Sequence, residues 1–168
     1  VKENKNIETC SGVWSVLSEL GADRKSILIN LGGGVVTDLG GFVASTFKRG
    51  IDFINIPTSL LAMVDASVGG KTGVDLGALK NQVGVIVNPK MVLVDPQYLN
   101  TLSSEEYRSG YAEMLKHGLI QDQNYWNHLK DYTKISSEDI QELIHHSVGI
   151  KNKVVLEDPY EHGLRKIL

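Results

Sequence analysis

The sequence predicts an α/β domain over residues 1–100, built on a parallel sheet, followed by the start of an all-helical domain over residues 101–168. Three observations carry this. Short apolar runs recur through the first hundred residues with helical stretches between them, the pattern of buried parallel strands joined by crossover helices. A triple glycine, Gly32-Gly33-Gly34, joins one such run directly to a helical stretch. After residue 101 the apolar residues fall only at helical spacing, and no strand-like run appears.

In chain order, a helix is expected over 8–20, with Val13, Val16, Leu17 and Leu20 on one face. SILINL (26–31) reads as a buried strand and 35–48 as the next helix. FINIP (53–57), VGVIV (83–87) and MVLVDP (91–96) read as three further buried parallel strands. In the second half, Ser103 and Glu106 form a capping box that opens a helix running to about Gly118. A short helix is expected over 124–132. Ser136 with Asp139 opens another, over 137–156, with Ile140, Leu143, Ile144, Val148 and Val155 on one face. Glu157-Asp158-Pro159 ends it. There are no internal repeats.

Composition narrows the function classes. Of 168 residues, 42% are apolar and 22% charged, an ordinary globular balance that excludes a disordered or fibrous chain. A net charge of −3 leaves no domain-wide basic footprint for nucleic acid. No apolar run reaches the 18 or so residues that span a bilayer, and no signal-peptide core follows the start. Cys10 is the single cysteine, which fits a reducing, cytoplasmic setting. Both ends fall in mid-pattern, so a fragment of a longer protein is expected.

Several segments carry candidate chemistry. The glycine turn at 32–34 leads from a strand into a helix, where free N–H groups bind a phosphate or pyrophosphate. It is not a full dinucleotide fingerprint, because Thr37 stands where the third glycine belongs. The alternative is a tight strand–helix turn, with Asp38 merely favouring the helix dipole. Val68-Gly69-Gly70-Lys71-Thr72-Gly73 nearly matches a nucleotide-triphosphate loop, but Asp65 replaces its first glycine. Lys71 is then a cation for an anionic ligand, or a lysine on a surface turn. Lys80-Asn81 suits a phosphate or sugar hydroxyl, or is plain loop surface. Glu113 and Lys116 share a helix face, as a surface ion pair or beside a ligand admitted by Ser109, Gly110 and Ala112. His117 is four residues after Glu113, so the two could share a metal, although a catalytic zinc wants three protein ligands. Lys151 lies in step with Ile144 and Val148, so it either snorkels or faces a polar cavity. His145 and His146 are adjacent and make a poor metal pair.

Taken together, LGGGVVTDLGGFVASTFKRG (31–50), IPTSLLAMVDASVGGKTGVD (56–75), KNQVGVIVNPK (80–90) and GYAEMLKHG (110–118) resemble the 3-dehydroquinate synthase family, with a weaker match over 151–168. The resemblance implies an N-terminal α/β NAD-binding domain and a C-terminal helical domain. It implies conversion of 3-deoxy-D-arabino-heptulosonate 7-phosphate to 3-dehydroquinate and phosphate, with NAD and one divalent metal, zinc or cobalt. In that chemistry an alcohol is transiently oxidised, phosphate is eliminated, the ketone is reduced again, the ring opens and an intramolecular aldol closes the carbocycle. The substrate is a small sugar phosphate, and neither nucleic acid nor a membrane is a partner.

Carried over by position, Gly34, Val35, Val36, Thr37 and Asp38 would hold the cofactor, with Lys5, Thr58, Ser59, Tyr98, Leu99, Asn100 and Thr101. Lys71 and Lys80 would lie near the nicotinamide and substrate. Asp65, Asn81, Lys116, Lys151 and Arg165 would line the substrate pocket, Lys151 and Arg165 suiting its carboxylate. Arg49 would reach the substrate phosphate of a neighbouring subunit, which implies a homodimer. Glu113 would be a metal ligand. The family's other two metal ligands are histidines that would fall beyond Leu168, and its first strand is absent. A family Glu-x-x-Lys appears as Lys2-Glu3-Asn4-Lys5, with the acid displaced. The chain alone is therefore expected not to turn over, and its missing segments to leave surface that self-associates. Alternatives are another sugar-phosphate cyclase, a glycerol dehydrogenase-like enzyme, or a non-catalytic NAD-binding module.

Overall fold

The computed structural model describes residues 2–131, 135–136 and 139–168. It divides into two compact units, Val1–Pro57 with Gly70–Val94, and Thr58–Gly69 with Asp95–Leu168.

The first unit is α/β. Strands β1 (Ile27–Gly32), β2 (Asp52–Pro57) and β5 (Met91–Val92) form a parallel sheet in the order β1-β2-β5. Helix α1 (Ile7–Glu19) starts where the Asn6 side chain accepts the Thr9 N–H at 2.9 Å. Helix α2 (Gly34–Thr46) follows the glycine turn. Two buried clusters hold the helices to the sheet, Cys10, Phe42, Val43 and Val74 in one, Ala44, Phe47, Ile51 and Phe53 in the other. Asn30 and Asn55 sit side by side in β1 and β2, and the Asn30 amide donates to Asn55 Oδ1 at 2.9 Å. Gly40 rides directly over this pair: a Cβ there would stand 1.9 Å from Asn30 Oδ1, so only glycine lets α2 descend this far.

Three strand expectations need correction. The run 83–87 does not join the parallel sheet. It lies in β4 (Leu79–Ile86), which pairs antiparallel with β3 (Lys71–Leu76) as a separate two-stranded ribbon. The physical reason is Gly77, whose φ of +58° closes a two-residue loop between Leu76 and Leu79. Of the run 91–96, only Met91–Val92 pairs, because Asp95 caps a 3-10 turn that starts at Pro96. β1 is not buried on both faces either. Leu28 and Asn30 face the helices, whereas Ile27, Ile29 and Leu31 are 57%, 59% and 55% exposed.

The second unit is helical: α3 (Ser104–Gln121), α4 (Gln123–Leu129) and α5 (Ile140–Glu157). Ser103 accepts the Glu106 N–H at 3.3 Å and opens α3. Asp122 ends α3 and accepts the Tyr125 N–H at 3.0 Å to start α4. Ser136 and Asp139 bond reciprocally before α5, while residues 137 and 138 of the expected helix, and 132 of the expected 124–132, lie outside the described residues. Buried tyrosines tie the helices, Tyr111 donating to the Leu129 carbonyl at 2.6 Å and Tyr125 to that of Leu143 at 2.8 Å. A π-helical turn, Ala62–Ala66, packs between α3 and α5 with Met63 and Val64 fully buried. Gly110 makes that packing possible, since a Cβ on it would meet the Leu61 backbone nitrogen at 2.4 Å. Among the described residues no helix is long and apolar enough to cross a membrane.

Candidate functional site

In the α/β unit the glycine turn does lead from β1 into α2, with Gly33 as the cap and no side-chain cap bond at the helix start. The first-turn N–H groups of Gly34 and Val35 are therefore the kind of donors an anion takes. Val36 packs against Gly32, and Thr37 is buried with its hydroxyl donating to the Gly34 carbonyl at 3.1 Å. Asp38 is more than a dipole partner. Lys5, 8% exposed, donates to Asp38 Oδ2 at 2.5 Å and to Asn81 Oδ1 at 2.6 Å. The Asn81 N–H in turn donates to Asp75 Oδ1 at 2.8 Å, and the Asp75 N–H to the Lys5 carbonyl at 2.9 Å. Asn81 holds a φ of +54°, a conformation that asparagine tolerates better than most residues. One lysine thus joins the chain start, α2 and the β-ribbon.

Lys71 and Lys80 lie on that ribbon, both exposed. The position of Lys71 removes the triphosphate-loop alternative. Gly69 and Gly70, at φ +95° and +71°, turn the chain into a strand, whereas that loop needs a helix N-terminus after its lysine. Arg49, at φ +71°, is exposed in the 3-10 turn that follows α2 (Phe47–Arg49), and lines a shallow hollow with Asp23, Arg24, Lys25 and Lys48.

In the helical unit, Lys151 does not snorkel. Its side chain is 7% exposed and its ammonium is bonded to the Asp65 carboxylate and, at 2.6 Å, to the Asp65 carbonyl. Burial pushes the ammonium below its usual pKa, and Asp65 offsets only part of that. Arg165, 2% exposed, donates to the Gly69 carbonyl and the Pro159 carbonyl, both at 2.6 Å. Its turn is fixed by Asp158, whose carboxylate accepts the N–H groups of His162, Gly163 and Arg165 at 2.8–3.0 Å. Those bonds hold the Asp158 carboxyl at about 2. Asp158 reads in the sequence only as a helix stop; the Asp-Pro pair ahead of a glycine was the available sign of such a turn.

Glu113 and Lys116 are in contact on α3, and the pair is not the surface bridge its spacing alone would suggest: the carboxylate is 15% exposed, the ammonium 34%. Lys116 also donates to the Leu168 carbonyl at 2.7 Å. His117 is fully buried, with Nε2 3.4 Å from Glu113 Oε1 and Nδ1 2.7 Å from Ser147 Oγ. Burial works to raise the Glu113 carboxyl, but His117 and Lys116 together bring it down to about 2, so it is an anion at neutral pH. Glu113 Oε1 and His117 Nε2 are the two buried side-chain atoms without a well-formed hydrogen bond among the described residues. A buried, ionised carboxylate fits one position in a metal's ligand set. No group of three His, Cys, Asp or Glu converges on a metal among the described residues. His145 and His146 are exposed, and His146 pairs with Asp122 at 2.9 Å. Of the remaining positions, Leu99 is buried, Thr58 and Ser59 half-buried, and Tyr98, Asn100 and Thr101 exposed.

Comparison with known proteins decides which family this is. The family model for the 3-dehydroquinate synthase N-terminal domain matches residues 1–109, and that for the C-terminal domain matches 110–168. The chain belongs to the 3-dehydroquinate synthase family. A 3-dehydroquinate synthase of Parabacteroides distasonis is 48% identical over 98% of the chain, which spans 47% of that relative. Among solved structures, a 2-epi-5-epi-valiolone synthase from Streptomyces hygroscopicus with NAD+ and Zn2+ bound superposes with a TM-score of 0.89 at 28% identity, over 99% of this chain and 48% of that one. A 2-deoxy-scyllo-inosose synthase complexed with carbaglucose-6-phosphate, NAD+ and Co2+ gives 0.87 at 26%, over 99% and 47%. The chain thus spans about half the length of the relatives it matches.

Proposed function

We propose that this chain is the central part of a cytoplasmic, homodimeric 3-dehydroquinate synthase, which converts 3-deoxy-D-arabino-heptulosonate 7-phosphate to 3-dehydroquinate and phosphate. Residues 1–100 carry most of the NAD side and part of the substrate side, and residues 101–168 the metal ligand and the rest of the substrate side. The observation that carries the reading is the burial of Lys151 and Arg165, two cations inside a family member whose substrate is a carboxylate and a phosphate ester. Burying cations is costly unless a function or a partner repays it. Here Asp65 occupies Lys151, so an anionic substrate would exchange one carboxylate for another.

When bound, NAD supplies reversible hydride acceptance and a divalent zinc or cobalt ion supplies Lewis acidity. The chain's own residues bind and orient. The open N–H groups of Gly34 and Val35 take the cofactor's pyrophosphate, with Val36, Thr37 and Asp38 continuing that turn. Lys5, Thr58, Ser59, Tyr98, Leu99, Asn100 and Thr101 complete the cofactor side. Lys71 and Lys80 approach the nicotinamide and substrate. Lys151, Arg165, Asn81, Asp65 and Lys116 hold the substrate's polar groups, and Arg49 meets its phosphate across the dimer. Glu113 ligates the metal, as an anion that needs no deprotonation at neutral pH.

The test extends the chain to the relatives' length and follows phosphate release from the heptulosonate phosphate with NAD and zinc. Release that needs both and is abolished in Lys151→Met and Glu113→Ala supports the reading. A folded, extended protein that releases no phosphate from this substrate, yet oxidises another alcohol, refutes it.

A further inference from the structure

Ser147 lies on α5 and is fully buried, and its hydroxyl meets the His117 ring on α3 at 2.7 Å and the Tyr125 hydroxyl on α4. The His117 ring is sealed from solvent, with Nε2 3.4 Å from Glu113 Oε1 one helical turn earlier. A neutral imidazole carries one proton, on Nδ1 or on Nε2. The surroundings choose between them. Glu113 Oε1, touched by the Lys116 ammonium, offers only lone pairs, so an unprotonated Nε2 would set lone pair against lone pair, 3.4 Å apart, beside a fully buried ring. A proton on Nε2 removes that repulsion and leaves Nδ1 as the acceptor for the serine hydroxyl at 2.7 Å. Nor does the gap between Oε1 and Nε2 suit an ion of its own, because the Lys116 ammonium already touches the same oxygen.

We propose that Ser147 and His117 are a positioning pair for the Glu113 carboxylate: the serine donates to Nδ1 of the Nε2–H tautomer and holds the ring so that Nε2 stays beside Oε1, 3.4 Å away. Lys116 meets the same oxygen, so one carboxylate oxygen lies against an ammonium and a ring nitrogen of its own helix. The proton placement stands on this geometry; its consequence for metal binding rests on the reading of Glu113 as a ligand. Partners of this kind behind a ligand are worth about 10–100-fold in metal affinity.

Two measurements separate the two claims. Long-range nitrogen–proton NMR of the 168-residue chain at fixed neutral pH reports each ring's tautomer directly. His117 is the one histidine shielded from a soluble paramagnetic probe, which assigns it even if a His117 variant fails to fold. The expected result is an Nε2–H ring in the native chain, a growing Nδ1–H population in Ser147→Ala, and recovery in Ser147→Thr. A dominant Nδ1–H ring in the native chain overturns the proposal. In a protein extended to the relatives' length, Co2+ affinity by chelator competition is expected to fall about 10–100-fold in Ser147→Ala and return in Ser147→Thr. Unchanged affinity in Ser147→Ala, with Glu113→Gln abolishing binding, overturns the positioning role while keeping Glu113 as ligand. Unchanged affinity in Glu113→Gln overturns the ligand reading and leaves the tautomer result standing.

Discussion

Replacing Asp65 by alanine removes one partner of a buried ion pair and leaves the other in place. Lys151 is 7% exposed, so its ammonium has little water to fall back on, and Asp65 supplies both of its hydrogen bonds. Breaking a fully buried pair from one side costs about 3–5 kcal/mol. Two features reduce that here: the Asp65 side chain is 37% exposed, and its backbone carbonyl remains as an acceptor in the variant. The expected loss is therefore roughly 2–3 kcal/mol. Lys151→Met removes the buried charge itself, fills the stem's volume, and leaves a carboxylate that can hydrate; it is expected to cost less than about 1 kcal/mol. Urea unfolding followed by far-ultraviolet circular dichroism measures both at pH 7. The loss in Asp65→Ala has a pH signature. The Lys151 pKa lies below its ordinary 10.5 already in the native chain, and loses the support of Asp65 in the variant. The unfolded chain then binds more protons than the folded one between the depressed value and 10.5, so stability rises with pH across that window. If Lys151→Met proves as costly as Asp65→Ala, or if Asp65→Ala gains nothing at alkaline pH, the burial argument is wrong.

Glu113→Gln should flatten the acid limb of the stability profile. The native carboxyl titrates at about 2 against an ordinary 4.5, so its contribution, up to about 3 kcal/mol, is complete above 4.5 and lost as pH falls towards 2; equal urea midpoints for the two proteins across that range would contradict this. Gly110→Ala should destabilise the helical unit by at least 1–3 kcal/mol, roughly the cost of overpacking, because its new methyl meets the Leu60–Leu61 backbone, which cannot rotate away; a melting temperature within a degree of the parent's would show that α3 shifts freely. Asp158→Ala should release the amides of His162, Gly163 and Arg165, seen as faster hydrogen exchange at those three positions with little change in α5; unchanged protection would mean the turn is held by Arg165 alone.

Helical periodicity and caps were legible because they are local. Ser103 and the apolar stripe of α5 appear in the structure as the pattern implies. The glycine turn was legible too, since a strand, three glycines and a helix leave little choice of path. Strand partnership was not. The run 83–87 has the composition of a buried parallel strand, and only the turn at Gly77, several residues away, sends it into a ribbon. The site divides the same way. Motif position pointed to Lys151 and Asp65 separately, but they stand 86 positions apart and no pattern pairs them. Ser147 carried no signal at all, because a serine on the inner face of a helix reads as filler until its partner, 30 residues earlier, is known.

The π-helical turn at Ala62–Ala66 has a bearing on how this chain leaves the ribosome. It is synthesised well before the helices that bury it, α3 and α5, the second of which ends only at Glu157. Met63 and Val64, fully covered at the end, must wait as a short oily stretch while nearly a hundred further residues emerge. Vectorial synthesis therefore cannot finish the chain half by half, and a gene cut after residue 94 would strand that stretch without its cover.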